Sequence, residues 1–248
     1  MNRDYASFRH IALDDVDSTN TACLERARDG DPGGLWITAR RQLQGRARRG
    51  RSWVSEAGNL YASLLLINVA KPADLATLPL AVSLAVHRAI TAVLPPGAAN
   101  ATIKWPNDVL IGGAKISGIL LESETLHDGR VAVVIGCGIN VAHAPEQTMY
   151  RTTTLQAEGS GVSPDELFAR LFMTMGEALD VWDGGRGIAA IRRSWLDNAE
   201  GIGKHIQVKL HQQTIGGIFA EIDQSGSLVL VQDDKTVRKI AAGDVFFK

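Results

Sequence analysis

QLQGRARRGRSWVSEAGNLYASLLLINV, residues 42–69, joins two opposite characters in one stretch. Residues 42–53 carry four arginines (Arg46, Arg48, Arg49, Arg51) and no acid, spaced by Gly45 and Gly50. Apolar residues almost vanish there, so this part is neither a buried helix nor a buried strand. Residues 59–69, NLYASLLLINV, are a plain hydrophobic strand. A mobile cationic loop anchored to a core strand is suited to closing over an anion. Taken alone, such a run is about equally well explained as a solvated basic loop.

The rest of the chain gives the loop its meaning. The net charge is only −1 over 248 residues, so the positive charge is local. General nucleic-acid binding would call for a basic domain or face, and a small anionic ligand fits better. The N-terminus, MNRDYASFRHIALDD, lacks an apolar core of signal-peptide length, and no run approaches a membrane span. Cys23 and Cys137 form no CxxC, and the six histidines (10, 87, 127, 143, 205, 211) show no HxxxH or HExxH spacing. Neither a disulfide framework nor a zinc site is indicated, and cytoplasm is the expected location.

Outward from the loop, GLWITAR (34–40) reads as the strand entering it. Asp17-Ser18-Thr19-Asn20 caps a short helix, TACLERARDG, that ends at Gly30. From Leu78 to Leu94 the apolar residues fall at helical spacing, with Pro79 in the first turn. ATIKW, DVLI, AKISGILLES and RVAVVIGCGINV read as strands, with Gly112-Gly113 and Asp128-Gly129 as turns. Ser163-Pro164-Asp165-Glu166 has the pattern of a capping box with proline at the first helical position. That helix carries Leu167, Leu171, Phe172, Met175, Leu179 and Trp182 on one face, and a shorter helix with Ile188, Ile191 and Trp195 follows. After Gly201, the short alternating strands IQVKL, TIGGIFAEI, SLVLVQ and TVRKI predict a small β-barrel packed on the main domain.

Three further motifs carry chemistry. In Lys104-Trp105-Pro106-Asn107-Asp108 the proline forces an extended or turning backbone at Trp105, and Asn107 and Asp108 present polar groups at the turn. Lys115, in KISG, starts an apolar strand. It reads either as a solvated edge residue or as a cation held against a low-dielectric wall for phosphate chemistry. Ile135-Gly136-Cys137-Gly138-Ile139-Asn140 ends a strand with two glycines that permit close approach of a ligand. It is not GxGxxG before a helix, which excludes a dinucleotide fold. Cys137 reads as a small buried residue.

DSTN at 17–20, QLQGRARRGRSW at 42–53, KWPNDVL…KISGILLE at 104–122 and GCGIN at 136–140 together resemble the ordered motif set of biotin protein ligases. The resemblance spans the chain. It implies an α+β fold: a mixed-sheet catalytic domain of the class II aminoacyl-tRNA synthetase/biotin ligase type over 1–200, and an SH3-like barrel over 201–248. It implies that biotin and ATP give biotinyl-5′-adenylate, which then acylates a lysine of the biotin carboxyl carrier protein of acetyl-CoA carboxylase.

Carried over motif by motif, Ser18, Thr19, Asn20, Gln42, Gly45, Arg46 and Gly118 are expected at biotin, with helix capping the plainer role for the first three. Arg46 and Arg48 are expected at the carboxylate and phosphate, as planar donor forks. Trp53 is expected in the floor beneath the loop, and Arg51, Asn107, Lys115 and Asn140 at the nucleotide. For Arg49 and Arg51 a solvated or structural reading stays open. Lys115, with Arg48, takes the catalytic role, drawing the carboxylate to the α-phosphate. Asp108 is placed near Mg²⁺ or its water shell, the metal arriving with ATP. A homodimer through sheet edges belongs to the same set of expectations. The loop is expected to be disordered when empty and to order over the adenylate.

Two departures stand out. Ala47 occupies a position commonly glycine in the family, so a left-handed backbone there would cost about 1 kcal/mol; an ordinary conformation is expected instead. Only seventeen residues precede Ser18, too few for the winged helix that some members use to bind DNA, so no operator binding is expected. The competing readings are a lipoate–protein ligase, and a non-enzymatic nucleic-acid-binding module that would leave Lys115 and KWPND unexplained.

Overall fold

Leu60–Ile67 (β3) is buried at seven of its eight positions, which requires cover on both sides of the sheet that contains it. In the computed structural model, which describes residues 8–145, 150–210 and 212–247, that cover is unequal and creates the site. The large sheet also contains β1 (Arg9–Val16), β2 (Leu35–Gln42), β4 (Ala101–Lys104), β5 (Asp108–Ile111), β6 (Ala114–Thr125) and β7 (Val131–Ile139). Its strand order is β1-β2-β3-β7-β6-β5-β4. β1 and β2 run parallel and the remaining neighbours antiparallel. The parallel pair needs a crossover, and α1 (Thr19–Arg28) lies between them in the chain.

On one face lie α2 (Leu78–Thr91), α3 (Pro164–Trp182) and α4 (Ile188–Asp197). They bury Trp36, Leu64, Leu66, Val133, Ile135 and Cys137 of the sheet. The expected capping box is present: Glu166 N–H donates to Ser163 Oγ, and Ser163 N–H to Glu166 Oε2 at 2.9 Å. Trp182 Nε1 donates to Thr77 Oγ1 (2.9 Å) and Trp195 Nε1 to Ser83 Oγ (3.0 Å), so both indoles are satisfied where they cross α2.

The other face is only partly covered. Cys23 and Ala27 of α1 pack on Leu35, Ile37, Leu65, Ala132 and Val134. Strand side chains alternate between faces, so Gly136 and Gly138 continue the α1 face of β7 while Cys137 points to the helices. The α1 face is therefore filled at one end and open at the other.

β8 (His205–Lys209), β9 (Thr214–Ile222), β10 (Leu228–Val231), β11 (Val237–Ile240) and β12 (Asp244–Phe247) form a second, antiparallel sheet in the order β11-β10-β9-β8-β12. This is the SH3-like unit expected after Gly201, with one difference. Among the described residues β11 and β12 do not pair, so the sheet is open along that seam and is not a closed barrel. It docks on the first unit: Trp105 Nε1 donates to Gly226 O at 3.1 Å, and Arg192 reaches Glu221 and the carbonyl of Ile222. β1 and β12 are strands that the pattern reading did not find.

Among the described residues no helix is long and apolar enough to cross a membrane. The beginning of the N-terminal stretch read for a signal sequence (1–7) and His211 of the histidine count lie outside the described residues.

Candidate active site

The floor of the site is a platform of three glycines. Gly118 of β6 pairs directly with Gly138 of β7, and Gly136 lies two residues back on the same face. The Trp53 indole lies on this platform. A Cβ at Gly138 would come within 2.7 Å of the indole and one at Gly118 within 2.8 Å, while one at Gly136 would fall on Asn20 Oδ1. No side chain larger than hydrogen leaves room for both neighbours. Trp53 Nε1 is buried and, among the described residues, has no hydrogen-bond partner.

Helix α1 enters this face at its N-terminus. Ser18 occupies the N-cap position, but its side chain makes no capping bond. Gln42, at the end of β2, does that work: its Oε1 accepts from Thr19 N–H (2.9 Å) and from Thr19 Oγ1 (3.1 Å), and its Nε2 donates to Ser55 Oγ (2.9 Å). Gln42 is thus committed to joining helix, strand and loop, and Ser18 is left to the cleft. Ser63 Oγ lies 2.6 Å from Asn20 Oδ1 and 2.7 Å from Thr19 Oγ1. Asn20 Nδ2 donates to Glu122 Oε2 at 2.7 Å.

The arginine loop arches over the platform. Trp53 N–H donates to Gly45 O (2.8 Å) and Ala47 N–H to Arg51 O (2.7 Å). Arg46 reaches Glu122 Oε2 at 2.8 Å, so Glu122 joins the loop to α1. Arg48 donates to Asn107 Oδ1 (2.7 Å) and to Gly243 O (3.2 Å). Burial pulls the Arg48 guanidinium below its ordinary range, opposed by Asp244 and Asp108. Arg49 and Arg51 both face Asp244, at 2.7 and 3.7 Å. Ala47 is extended (φ −125°), as its lack of glycine freedom requires; the left-handed residues are Arg49, with φ 58°, and Gly50, with φ 69°.

The far wall comes from β4 to β6 and the segment after β7. Lys115 Nζ lies 2.7 Å from Asp108 Oδ1, with side chains 13% and 15% exposed. The Lys115 backbone is pinned on both sides, its N–H to Arg151 O and its carbonyl by Thr153 N–H. Asn107 gives its amide N–H to Ile119 O and keeps Oδ1 for Arg48. Asn140 Nδ2 donates to Thr153 O at 3.1 Å. Lys104, quoted in the KWPND motif without a role, has its ammonium 5.2 Å from the Tyr150 ring centroid and 5.7 Å from those of Phe246 and Phe247. Burial lowers its pKa, with Asp108 opposing.

These walls enclose a cleft of about 270 Å³. Ser18, Thr19, Asn20, Gln42, Arg46, Arg48, Arg51, Trp53, Asn107, Asp108, Lys115, Gly118 and Asn140 all border it. Gly45 does not: it supports the loop from within, where a Cβ would meet Ser55 Oγ at 2.5 Å. Asp108 is held by Lys115, and among the described residues no group of three or more His, Cys, Asp or Glu could hold a metal ion. The residues present therefore do not fit a Mg²⁺ ion held by the protein alone. Lys104, Tyr150 and Asp244 also border the cleft, and Glu122 braces Asn20 and Arg46 beside it; none of the four is assigned a role from sequence. Glu122 had a signal, since it follows Gly118 and Leu120 on one face of a strand. Asp244 had none.

A flat floor bounded by arginines and lysines defines a protein that binds an anionic small molecule over an apolar surface. Residues 13–140 match the biotin/lipoate A/B protein ligase family, and residues 201–248 match the biotin protein ligase C terminal domain. The chain belongs to that ligase family. It is 38% identical to the biotin--[acetyl-CoA-carboxylase] ligase of Paracoccus denitrificans over 94% of this chain and 98% of that protein. It is 33% identical to the bifunctional ligase/repressor BirA of Escherichia coli, over 88% of this chain and 68% of that one. Among solved structures, biotin protein ligase from Aquifex aeolicus in complex with biotin and ATP superposes with a TM-score of 0.80 at 27% identity, covering 96% of this chain and 97% of that one.

Proposed function

We infer that this chain activates biotin with ATP and transfers it to a lysine of the biotin carboxyl carrier protein of acetyl-CoA carboxylase. The observation that carries this reading is the convergence of Lys115, Arg48 and Asn107 on one cleft floored by the Gly118–Gly138 platform. The family assignment and the Paracoccus relative support it.

In the first step a biotin carboxylate oxygen attacks the α-phosphorus of ATP. An O–P bond forms, the bond to pyrophosphate breaks, and pyrophosphate leaves. Two anions must approach, so the chief obstacle is electrostatic. Lys115 and Arg48 supply positive charge from fixed positions, which costs little reorganisation as charge shifts. Asp108 holds the Lys115 ammonium in place, and Asn107 holds Arg48. In the second step the carrier lysine amine attacks the acyl carbon. AMP leaves with the bonding pair and the amine sheds a proton.

At the other end of the cleft, Ser18, Thr19 and Asn20 are assigned to biotin, and the buried Trp53 Nε1 is a donor available to a ligand oxygen. Magnesium, in this reading, enters with the phosphates of ATP, and no step is assigned to it. The two units divide near residue 200, just before β8. Cytoplasmic location and a homodimer are parts of the same proposal, the first supported by two free, buried cysteines.

The test is pyrophosphate release with biotin and with lipoate as alternative acids, followed by transfer to a purified carrier domain. Release with biotin alone and labelling of the carrier is the expected result. Release with lipoate alone would select the other branch of the family.

A further inference from the structure

Ser63 interrupts the apolar run of β3 with a hydroxyl group, and the residue is 0% exposed. Across the sheet it pairs with Gly136 of β7, which brings no side chain. Asn20 of α1 takes that space: a Cβ at Gly136 would lie 2.2 Å from Asn20 Oδ1. Ser63 Oγ is thereby 2.6 Å from Asn20 Oδ1 and 2.7 Å from Thr19 Oγ1. Thr19 and Asn20 border the cleft, and Ser63 stands behind them.

Counting protons fixes the direction of every bond in this group. Asn20 Nδ2 donates to Glu122 Oε2 (2.7 Å) and to Leu120 O (3.3 Å). Both partners are acceptors, so the amide cannot be turned about. Asn20 Oδ1 carries no proton, and the 2.6 Å contact must therefore use the proton of Ser63. A hydroxyl group has only one. Ser63 has none left for Thr19, so the 2.7 Å contact between the two hydroxyl groups uses the proton of Thr19. Gln42 Oε1, at 3.1 Å, can share that proton and likewise keeps it engaged within the protein. Thr19 Oγ1 is left with lone pairs alone for the cleft. The Asn20 N–H groups are also spent, so the two residues accept there and do not donate.

We propose that Ser63 is a positioning residue that sets headgroup specificity without touching the ligand. By committing its proton to Asn20, it turns the Thr19 hydroxyl inward and makes this end of the cleft an acceptor for N–H groups. A ureido ring brings N–H donors, whereas the dithiolane ring of lipoate brings none and would leave buried acceptors unpaired. A site built to hydrogen-bond one ligand rejects the analogue that lacks the bond. This inference rests on the function proposed above and names the residue that enforces the choice of acid.

The test is equilibrium binding, to the full chain, of biotin and of its two N-methyl derivatives, each of which blocks one ureido N–H. In wild type, methylation of the nitrogen that faces Thr19 should weaken binding by at least about tenfold. Ser63→Ala frees the Thr19 proton to turn outward. Biotin should then bind about tenfold more weakly, and the penalty for that methylation should shrink by about three- to tenfold. Asn20→Ala releases the Ser63 proton to Thr19 and should shrink the penalty likewise, which decides the question independently of how well Ser63→Ala folds. The bulk of the methyl group is common to all the proteins and cancels in the ratio. In turnover, Ser63→Ala should raise the KM for biotin more than it lowers kcat. A general loosening of the cleft would weaken all three ligands together, so unchanged ratios in either folded variant would overturn the proposal. So would a wild type that tolerates both methylations. A wild type that binds none of the three but releases pyrophosphate with lipoate would overturn the biotin reading itself, and this inference with it.

Discussion

The Lys115 ammonium rests 2.7 Å from Asp108 Oδ1, with most of both side chains withdrawn from water. Partly buried pairs respond asymmetrically to substitution, because removing one member strands the other. Lys115→Ala is therefore expected to act twice. Adenylate formation should fall by about 10²–10³-fold, as for other fixed charges aimed at a reacting anion. Stability should also fall by about 1–2 kcal/mol through the stranded Asp108. Asp108→Asn should cost less activity, about tenfold, since the lysine loses its orientation but keeps its charge. Pyrophosphate release and urea denaturation on the same preparations separate the two effects. Full activity in Lys115→Ala would remove that residue from the mechanism.

The Trp53 indole and Gly138 give a second expectation. A methyl group at residue 138 would sit 2.7 Å from the indole, and the opposite face of β7 is filled by Cys137 and the helices. The ring has to move. Gly138→Ala should cost about 1–3 kcal/mol, the usual range for overpacking, and should weaken biotin binding by more than tenfold, the equivalent of about 1.4 kcal/mol. Equilibrium binding to wild type and variant measures this. Unchanged affinity would show that Trp53 is not part of the floor the ligand uses.

Much of this arrangement is legible in the sequence, and the reasons differ by element. The β3 strand, the Pro79 and Pro164 helix starts and the Gly112-Gly113 turn follow from local rules, in which a residue and its near neighbours decide the outcome. The site motifs were legible for another reason: their order along the chain resembles a known set. β1 escaped because an edge strand is half-solvated, and RHIALDDV shows no clean alternation. β12 escaped because four residues, DVFF, give too short a pattern. The Gln42 cap on α1 spans 23 residues and the Asp244 contact spans 195. Contacts of that range depend on how sheets dock, and no local pattern encodes them. Trp53, expected in the floor beneath the loop, lies on the glycine platform and ties the loop's end to it.

The cysteines provide a negative control on the mechanism. Burial pushes both the Cys23 and Cys137 thiols up to about 12. At pH 8 that leaves roughly one thiolate in ten thousand, and the thiolate is the reactive form. Iodoacetamide at pH 8 should leave both cysteines unmodified in the folded protein, as read by intact mass, and activity should be retained. Alkylation of Cys137 without unfolding, or loss of activity on treatment, would show that the sheet–helix core opens more readily than its packing implies.

The last expectation concerns pH. His87 lies buried on α2, with Nε2 3.0 Å from Ala101 O and Nδ1 without a partner among the described residues. Burial lowers its pKa below 6.5, opposed by the bond to Ala101 and reinforced by Arg88. His10 is also lowered, by burial acting against Asp165, but it is more exposed and should contribute less. A histidine with a depressed native pKa takes up its proton first in the unfolded chain. Between its native value and 6.5 the unfolded state therefore binds more protons, and stability falls as pH is lowered through that window. Above 6.5 this contribution is flat. For His87 the slope can be no steeper than about 1.4 kcal/mol per pH unit. Urea denaturation at intervals between pH 7.5 and 5 should reveal the decline, and His87→Gln should flatten much of it. An unchanged slope in that variant would assign the acid sensitivity to other groups.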